Sequence, residues 1–478
     1  MNTIQSTLLN FLAAYPKQPI LIAYSGGVDS QVLLDCLFSL KQAKKIQNSL
    51  HVCHINHGLS NNALQWQQFA QQQCQLRDIG LSVCAVNIHR KNQQSLEELA
   101  RDARYRALIK TADKQSFSKA LIITGHHQDD QAETFLLALK RGSGLKGLSA
   151  MASTRVIGAH TLARPLLTCS REDIIAYANE QKLMWIEDES NNDINFDRNF
   201  LRQIIIPKLK QRWQSITTTI TRSSEHCRDG QLLLDELAQA DLQHCKVKDA
   251  ELALQVSALI QLSHLRFNNL LRYFIAQQGY KMPSSEQLKQ VLQQLTANKD
   301  KSPCVNMGLY SLRRFRDALL LTPTFADLND FSSNISLTLL RSAKEQLVEL
   351  PDGLGTLQLR WVNKNELNKE HYDDDEFSVV IAVNDLIENI TISFIHQNPR
   401  CLPDYRQHSR PLKKVLQELN IAPWQRKRLP FVYFDNELVA ALGQFVCKDF
   451  IVEKCGSADI NIKESQPVLK INWLKNRP

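Results

Sequence analysis

Between residues 18 and 215, short apolar, β-prone runs alternate with stretches of helical periodicity, and this alternation restricts the chain to a narrow class of folds. The runs are Pro19–Tyr24, Leu50–Asn56, Leu81–Ile88 and Ala120–Gly125, with helical patterns near 30–45, 61–78, 95–115 and 128–140. Strands that recur with an intervening helix feed a parallel sheet covered on both faces. The expected class is therefore α/β, a doubly wound parallel sheet whose ligand site lies beyond the carboxyl ends of its strands. Three polar clusters follow such ends: Ser25–Ser30, His54–Gly58 and His126–Asp130. Ser95-Leu96-Glu97-Glu98 carries the capping-box pattern that starts a helix.

At 478 residues the chain exceeds a single core and should hold about two to four domains. Residues 1–215 form the α/β unit. Leu- and Gln-rich helical spacing predicts a small helical domain over 216–322. Residues 323–376 read as a linker and the start of an α+β region, with Asp373–Glu376 a solvated turn, and 377–478 as a small α+β C-terminal domain. No apolar run approaches the ~18 residues of a membrane span, and the first residues lack a secretory pattern, so no membrane partner is expected. The 11 cysteines are odd in number and scattered, with no Cys-x-x-Cys. That argues against a disulfide framework or a structural zinc and points to a reducing cytoplasm. The balance of 57 Lys+Arg against 49 Asp+Glu leaves +8, which favours polyanionic partners.

Ser25-Gly26-Gly27-Val28-Asp29-Ser30 follows a buried strand and opens the amphipathic stretch Gln31 to Lys44. Two glycines let the backbone turn tightly against an anion, and the free N–H groups at the helix start can hold phosphate oxygens together with Ser25 and Ser30. The Gly-x-x-x-x-Gly-Lys-Ser/Thr pattern is absent, so this is not the Walker-type loop. An aspartate beside phosphate makes sense with a divalent cation between them, which marks Asp29 as a candidate Mg²⁺ contact. Gly142-Ser143-Gly144-Leu145-Lys146-Gly147 matches the dinucleotide fingerprint, but it follows a helix rather than a strand, and NAD binding is not expected.

His126-His127-Gln128-Asp129-Asp130-Gln131-Ala132-Glu133-Thr134 sits where a strand runs into a helix. Asp129 and Glu133 are i,i+4 and Asp130 and Glu133 i,i+3, so the acids can share a face. Carboxylates there suit Mg²⁺, and a protonated histidine could offset developing pyrophosphate charge. A zinc site built from His51, His54, His57, His126 and His127 is the competing reading. Arg101 and Arg104, on a helix of a neighbouring βα unit, could clamp phosphates or the reacting base.

The Ser-Gly-Gly-x-Asp-Ser loop resembles that of the PP-loop (N-type ATP pyrophosphatase) superfamily. This implies MgATP, cleaved between the α- and β-phosphates, and a nucleophile that displaces AMP. Further segments are similar, in order, to the tRNA(Ile)-lysidine synthase family. They are His54-Ile55-Asn56-His57-Gly58-Leu59, Ala100-Arg101-Asp102-Ala103-Arg104-Tyr105, the His126–Thr134 cluster, Arg164-Pro165-Leu166-Leu167, Glu187–Asn191 and Arg198-Asn199-Phe200-Leu201-Arg202. In the tail, Pro411-Leu412-Lys413-Lys414 and Ile421-Ala422-Pro423-Trp424-Gln425-Arg426-Lys427-Arg428 are similar as well.

The resemblance implies lysine ligation to the wobble cytidine of the CAU-anticodon isoleucine tRNA, with L-lysine as co-substrate. Another tRNA-modifying member of the superfamily, such as a thiolase, is the alternative. It implies Ser25, Gly26, Gly27, Val28, Asp29 and Ser30 as the ATP cradle and Asp29 and Asp130 as Mg²⁺ contacts. Asp29, Arg101, His126, His127, Asp129 and Asp130 are the catalytic candidates, with Asp129 or Glu133 as base or orienter. Members of the family are often homodimers, and no stretch here identifies an interface. The segment Arg400–Arg428 holds eight Arg/Lys against two acids. Lys413, Lys414, Arg426 and Arg428 are therefore expected to meet tRNA phosphate and Trp424 to stack on a base, with Arg198 and Arg202 as further tRNA contacts.

Overall fold

The computed structural model describes residues 3–56, 62–86, 96–115, 117, 119–248, 250–296, 303–362, 377–384, 386–451 and 468–475. Two compact units divide the chain, residues 1–236 and 237–478. His57, Gly58, Ser95 and the acidic run Asp373–Glu376 lie outside the described residues, so the readings placed on them are not developed further.

The first unit is built on a six-stranded sheet. Its strands are β1 (Ile20–Tyr24), β2 (Leu50–Asn56), β3 (Gly80–Ala85), β4 (Leu121–Ile123), β5 (Thr154–Ile157) and β6 (His160–Ala163), ordered β3-β2-β1-β4-β6-β5. All neighbours are parallel except the edge strand β5, which is antiparallel to β6. The helices are α1 (Thr3–Leu12), α2 (Val28–Gln42), α3 (Ala63–Gln75), α4 (Leu96–Lys114), α5 (Gln128–Lys140), α6 (Leu145–Leu148), α7 (Arg171–Glu180), α8 (Asp197–Phe200) and α9 (Ile206–Arg212); the long α10 (Ile216–Cys245) runs past the end of the unit.

β1 reads Ile-Leu-Ile-Ala-Tyr without alternation because both its faces are covered. Ile20, Ile22 and Tyr24 pack with α1, α2 and α7, while Leu21 points into a second core with Leu108 and Ala112 of α4. β1 lies between β2 and β4, where the strand order reverses. The crevice at the carboxyl ends of β1 and β4 is therefore where a ligand belongs. The loops after these two strands are Ser25–Gly27, leading into α2, and Gly125–His127, leading into α5.

The β5–β6 hairpin was not expected. It turns on Gly158-Ala159, with Gly158 at φ +57°, and its four-residue strands are too short to stand out by periodicity. The region expected to be helical also contains a four-stranded antiparallel sheet. Ala253–Gln255, Ala318–Pro323, Tyr310–Phe315 and Cys304–Asn306 pair in that order beside the helices His264–Gln277 and Ser285–Thr296. Leu319 and Leu321 alternate into that core, and two of the strands have only three residues. The stretch expected as a linker supplies the hairpin Glu345–Leu350 and Gly355–Val362, which joins Val468–Leu474 and Phe377–Ala382 in one tail sheet. A second tail sheet includes Ser332–Ser336, Asn389–Ser393, Phe431–Phe434 and Glu437–Ala441. No described helix is long and apolar enough to cross a membrane.

Candidate active site

The loop after β1 turns at Gly26, whose φ of +91° is disfavoured for any residue with a Cβ. A Cβ on Gly26 would also lie 3.0 Å from the Ile186 side chain, and the Ile186 amide donates to the Gly26 carbonyl at 2.9 Å. Ser30 closes the loop: its hydroxyl accepts from the Ser25 and Gly26 amides at 3.3 and 3.1 Å and donates to the Gly27 carbonyl at 2.9 Å. Gly27 caps α2, leaving the first-turn amides of Val28 and its successors without intrahelical acceptors. A second constraint comes from β4. A Cβ on Gly125 would stand 3.0 Å from both the carbonyl carbon and oxygen of Asp29 and 3.2 Å from the Ser30 amide. Gly125 thus lets two loops share the space of one backbone.

His127 caps α5 and is fully buried, with two carboxylates near one ring nitrogen. Nε2 is 3.6 Å from Asp29 Oδ1 and 3.5 Å from Asp130 Oδ2, while Nδ1 is 3.8 Å from Asp129. Neither ring nitrogen has a hydrogen-bond partner, and Asp29 Oδ1 is likewise buried and unpartnered. Burial pushes the Asp29 carboxyl up, against the pull of His127. The Asp130 carboxyl is held low by His127 and Arg202 despite burial, and its Oδ2 accepts from the His127 amide at 3.0 Å. Two carboxylates converging beside a phosphate-type loop, one with an unsatisfied oxygen, fit a hard divalent cation that keeps phosphate oxygens as its other ligands.

Other expectations change. His126 is pushed down to about 3, chiefly by burial and further by the charges of Arg164, Arg198 and Arg104, so it is a neutral imidazole rather than the protonated one expected. Its Nδ1 lies 2.8 Å from Thr124 Oγ1. Asp129 does not join the loop. Its Oδ1 meets Lys210 at 2.6 Å and its Oδ2 accepts from the Arg171 amide at 3.0 Å, tying α5 to α9 and α7. These contacts hold its carboxyl low against burial. Arg101 is exposed, 5.7 Å over the Tyr105 ring, and it is Arg104 whose charge reaches His126. The described histidines of the zinc reading form no cluster. His51 bonds Ser82 at 2.8 Å, His54 the Tyr24 carbonyl at 3.1 Å, and no metal-binding group of three His, Cys, Asp or Glu occurs among the described residues.

Chain segments matching known families cover most of this architecture. Residues 1–209 match the model of a PP-loop domain, 254–320 that of a TilS substrate binding domain, and 390–462 that of a TilS substrate C-terminal domain. A protein of Serratia proteamaculans named tRNA(Ile)-lysidine synthase is 40% identical over 93% of this chain and 95% of its own length. Relatives of the same name from Edwardsiella ictaluri and Pectobacterium atrosepticum are 39% and 37% identical; they cover 94% and 96% of this chain and 96% and 95% of their own lengths. The chain belongs to the tRNA(Ile)-lysidine synthase family.

In this member of the tRNA(Ile)-lysidine synthase family, several residues expected to meet tRNA are already engaged. Arg198 Nε bonds Glu133 Oε2 at 3.1 Å, and Arg202 bonds Glu133 at 2.6 and 3.0 Å and Asp130 at 3.1 Å. Arg198 lies in α8 and Arg202 in a π-helical turn, Leu201–Ile205, between α8 and α9, and both reach the fully buried Glu133. Arg202 thus braces Asp130 directly, while Arg198 holds Glu133 and Thr134. Trp424 is half-buried, edge-on to Phe315 at 5.9 Å and under Arg313 at 5.5 Å. Arg428 pairs with Asp352 at 2.5 Å over the Phe325 ring, and Arg426 Nε donates to the Ile421 carbonyl at 2.8 Å. Lys413 and Lys414 are exposed on the helix Leu412–Glu418. Sequence reading missed Gly125, Ile186 and Lys210. Only Gly125, a glycine closing a buried strand, carried a local signal.

Proposed function

We propose that this chain ligates free lysine to C2 of the wobble cytidine, position 34, of the CAU-anticodon isoleucine tRNA, giving lysidine, AMP and pyrophosphate through an adenylated cytidine. The observation that carries the reading is the Ser25–Ser30 loop whose Asp29 carboxylate meets that of Asp130 at His127, in a chain of this family. Ser25, Gly26, Gly27, Val28, Asp29 and Ser30 cradle the ATP phosphates. The Ser25 and Ser30 hydroxyls, which now close the loop on itself, exchange those bonds for phosphate oxygens. Asp29 and Asp130 hold Mg²⁺, which when bound neutralises phosphate charge.

Cytosine O2 attacks the α-phosphorus and the bond to the β-phosphate oxygen breaks, releasing pyrophosphate. The ε-amine of lysine, having lost a proton, attacks C2; the C2–O2 bond breaks and AMP leaves with that oxygen. Asp129 and Glu133 are engaged by cations on both oxygens or by a cation and an amide, so they orient rather than accept that proton. Arg202 fixes Asp130 through its 3.1 Å bond. Neutral His126 offers a ring nitrogen as a hydrogen-bond partner without adding a charge. Lys413 and Lys414 meet tRNA phosphate, with 216–322 as a substrate-binding domain and 377–478 as a tRNA-binding domain. Substrates of this kind place the protein in the cytoplasm.

Asp29→Ala and Asp130→Asn test the reading. Pyrophosphate release should fall about 100-fold or more while tRNA binding by gel shift holds. Undiminished release would overturn the assignment of both acids, and sulfur transfer without lysine incorporation would favour a thiolase.

A further inference from the structure

Both ends of the phosphate loop enter a chain of buried polar side chains that carries no part of the chemistry above. Tyr24, the last residue of β1, precedes Ser25, and Gln31 of α2 follows Ser30. The Tyr24 hydroxyl donates to Gln31 Oε1 at 2.6 Å, so the loop is bridged by the two residues that bracket it. Gln31 Nε2 donates to Gln73 Oε1 of α3 at 2.8 Å. Arg77, two residues past the end of α3, donates to the same Gln73 oxygen at 2.8 Å and to Asp35 at 2.9 Å. Asp35 lies one turn beyond Gln31 on α2, and its other oxygen accepts from the Tyr177 hydroxyl of α7 at 2.9 Å. The Tyr24 carbonyl is held by His54 of β2 at 3.1 Å. Tyr24, Gln31 and Gln73 are each no more than 5% exposed.

The chain has only one sense. A guanidinium donates and never accepts, so Gln73 must turn its oxygen to Arg77. That oxygen also faces Gln31, which must therefore offer its nitrogen there and its oxygen to Tyr24, whose hydroxyl is left to donate. The charge of Arg77, anchored on Asp35, thus sets every orientation as far as the loop. Apolar side chains of similar shape would pack at positions 31 and 73 at little cost to stability. What a directed, buried polar chain adds is a single arrangement, because any slide of α2 against β1 or α3 leaves desolvated groups unpaired. The backbone fixed in this way carries Asp29 and the first-turn amides of α2.

We propose that Gln31, oriented by Gln73 and Arg77, clamps the two ends of the phosphate loop through Tyr24 and is a positioning residue for cleavage of the nucleotide. The clamp presupposes the ATP-dependent reading above. The test uses the full-length protein with Tyr24→Phe, Gln31→Glu and Gln73→Glu. Steady-state kinetics are measured separately for ATP, tRNA and lysine, with equilibrium binding of a non-hydrolysable MgATP analogue and thermal melting. Tyr24→Phe removes one oxygen and keeps the ring. It should lose about fivefold or more in kcat/KM for ATP, the equivalent of one buried hydrogen bond, while KM for tRNA and lysine stays within about twofold. Gln31→Glu sets an oxygen against the Gln73 oxygen and should lose at least as much. Gln73→Glu adds the same charge at the same volume but keeps the accepting oxygen, and should stay within about twofold of wild type. Wild-type ATP kinetics in Tyr24→Phe would overturn the clamp, and this variant decides the matter if Gln31→Glu does not fold. Gln73→Glu as impaired as Gln31→Glu would overturn it as well. Analogue binding that weakens in Tyr24→Phe and Gln31→Glu, from a wild-type protein that forms no lysidine, would support the clamp and sink the functional reading instead.

Discussion

Gly125→Ala is the smallest change that should break the site without touching a charged group. The added methyl carbon would stand 3.0 Å from the Asp29 carbonyl carbon and oxygen and 3.2 Å from the Ser30 amide, all of them backbone atoms. No side chain can rotate away, so either β4 or the start of α2 must shift by several tenths of an ångström. Overpacking of this kind costs about 1–3 kcal/mol, which a domain of this size survives. The catalytic cost is larger, because the atoms pushed are those that aim Asp29 and the first-turn amides. A displacement approaching 1 Å at reacting groups costs about 100-fold. The variant should melt as a folded protein, bind tRNA normally, and lose about 10- to 100-fold in kcat/KM for ATP in a pyrophosphate-release assay. Wild-type kinetics toward ATP with Ala at this position would refute the close approach of the two loops as a functional constraint.

Glu133→Gln removes the buried carboxylate that neutralises Arg198 and Arg202, and breaking a buried pair on one side costs about 3–5 kcal/mol, reduced here because both arginines are partly exposed. Urea unfolding should show a loss of about 2–4 kcal/mol, and pyrophosphate release should fall as Arg202 loses its register on Asp130. Asp129→Asn should retain far more activity than Asp130→Asn, since Asp129 serves the α5–α9–α7 junction. Its folded carboxyl lies below the ordinary value, so its contribution is complete above about pH 4 and is lost as pH falls through the lower folded value. Asp129→Asn should accordingly flatten the acid limb of the stability profile, and an unchanged limb would contradict the pairing with Lys210. In the tail, Lys413→Ala with Lys414→Ala should weaken tRNA binding evenly and reduce its salt slope by about two, whereas Trp424→Ala should lower the melting temperature more than the affinity.

The sheet and the phosphate loop were legible because their signals are local. Ile20–Tyr24 is a short continuous apolar run closed by a Gly-Gly turn, as a strand covered on both faces would be, and Ser25–Ser30 packs two glycines, two hydroxyls and an acid into six positions. The His126–Glu133 cluster was legible as a cluster but not in its division of labour. Whether an acid faces the loop or a neighbouring helix depends on Lys210, far along the chain, and nothing near Asp129 names that partner. The partners of Arg198 and Arg202 were hidden for the same reason. Two arginines at i,i+4 spacing were read as tRNA contacts, and nothing near them in sequence shows that both meet Glu133. Trp424 has basic neighbours in sequence, but its contacts in space, Phe315 and Arg313, could not be read from them. In the middle sheet two of the four strands have only three residues and carry no period.

The central claim is that the energy of one α–β phosphate cleavage joins one lysine to one tRNA base. It is tested most directly by incubating the protein with MgATP, labelled lysine and transcripts of the CAU-anticodon isoleucine and methionine tRNAs, and then digesting to nucleosides. The account predicts lysine on the wobble cytidine of the isoleucine tRNA alone, with one AMP and one pyrophosphate for each lysine joined. Release of ADP and phosphate, or pyrophosphate formed with no lysine on the tRNA, would contradict it.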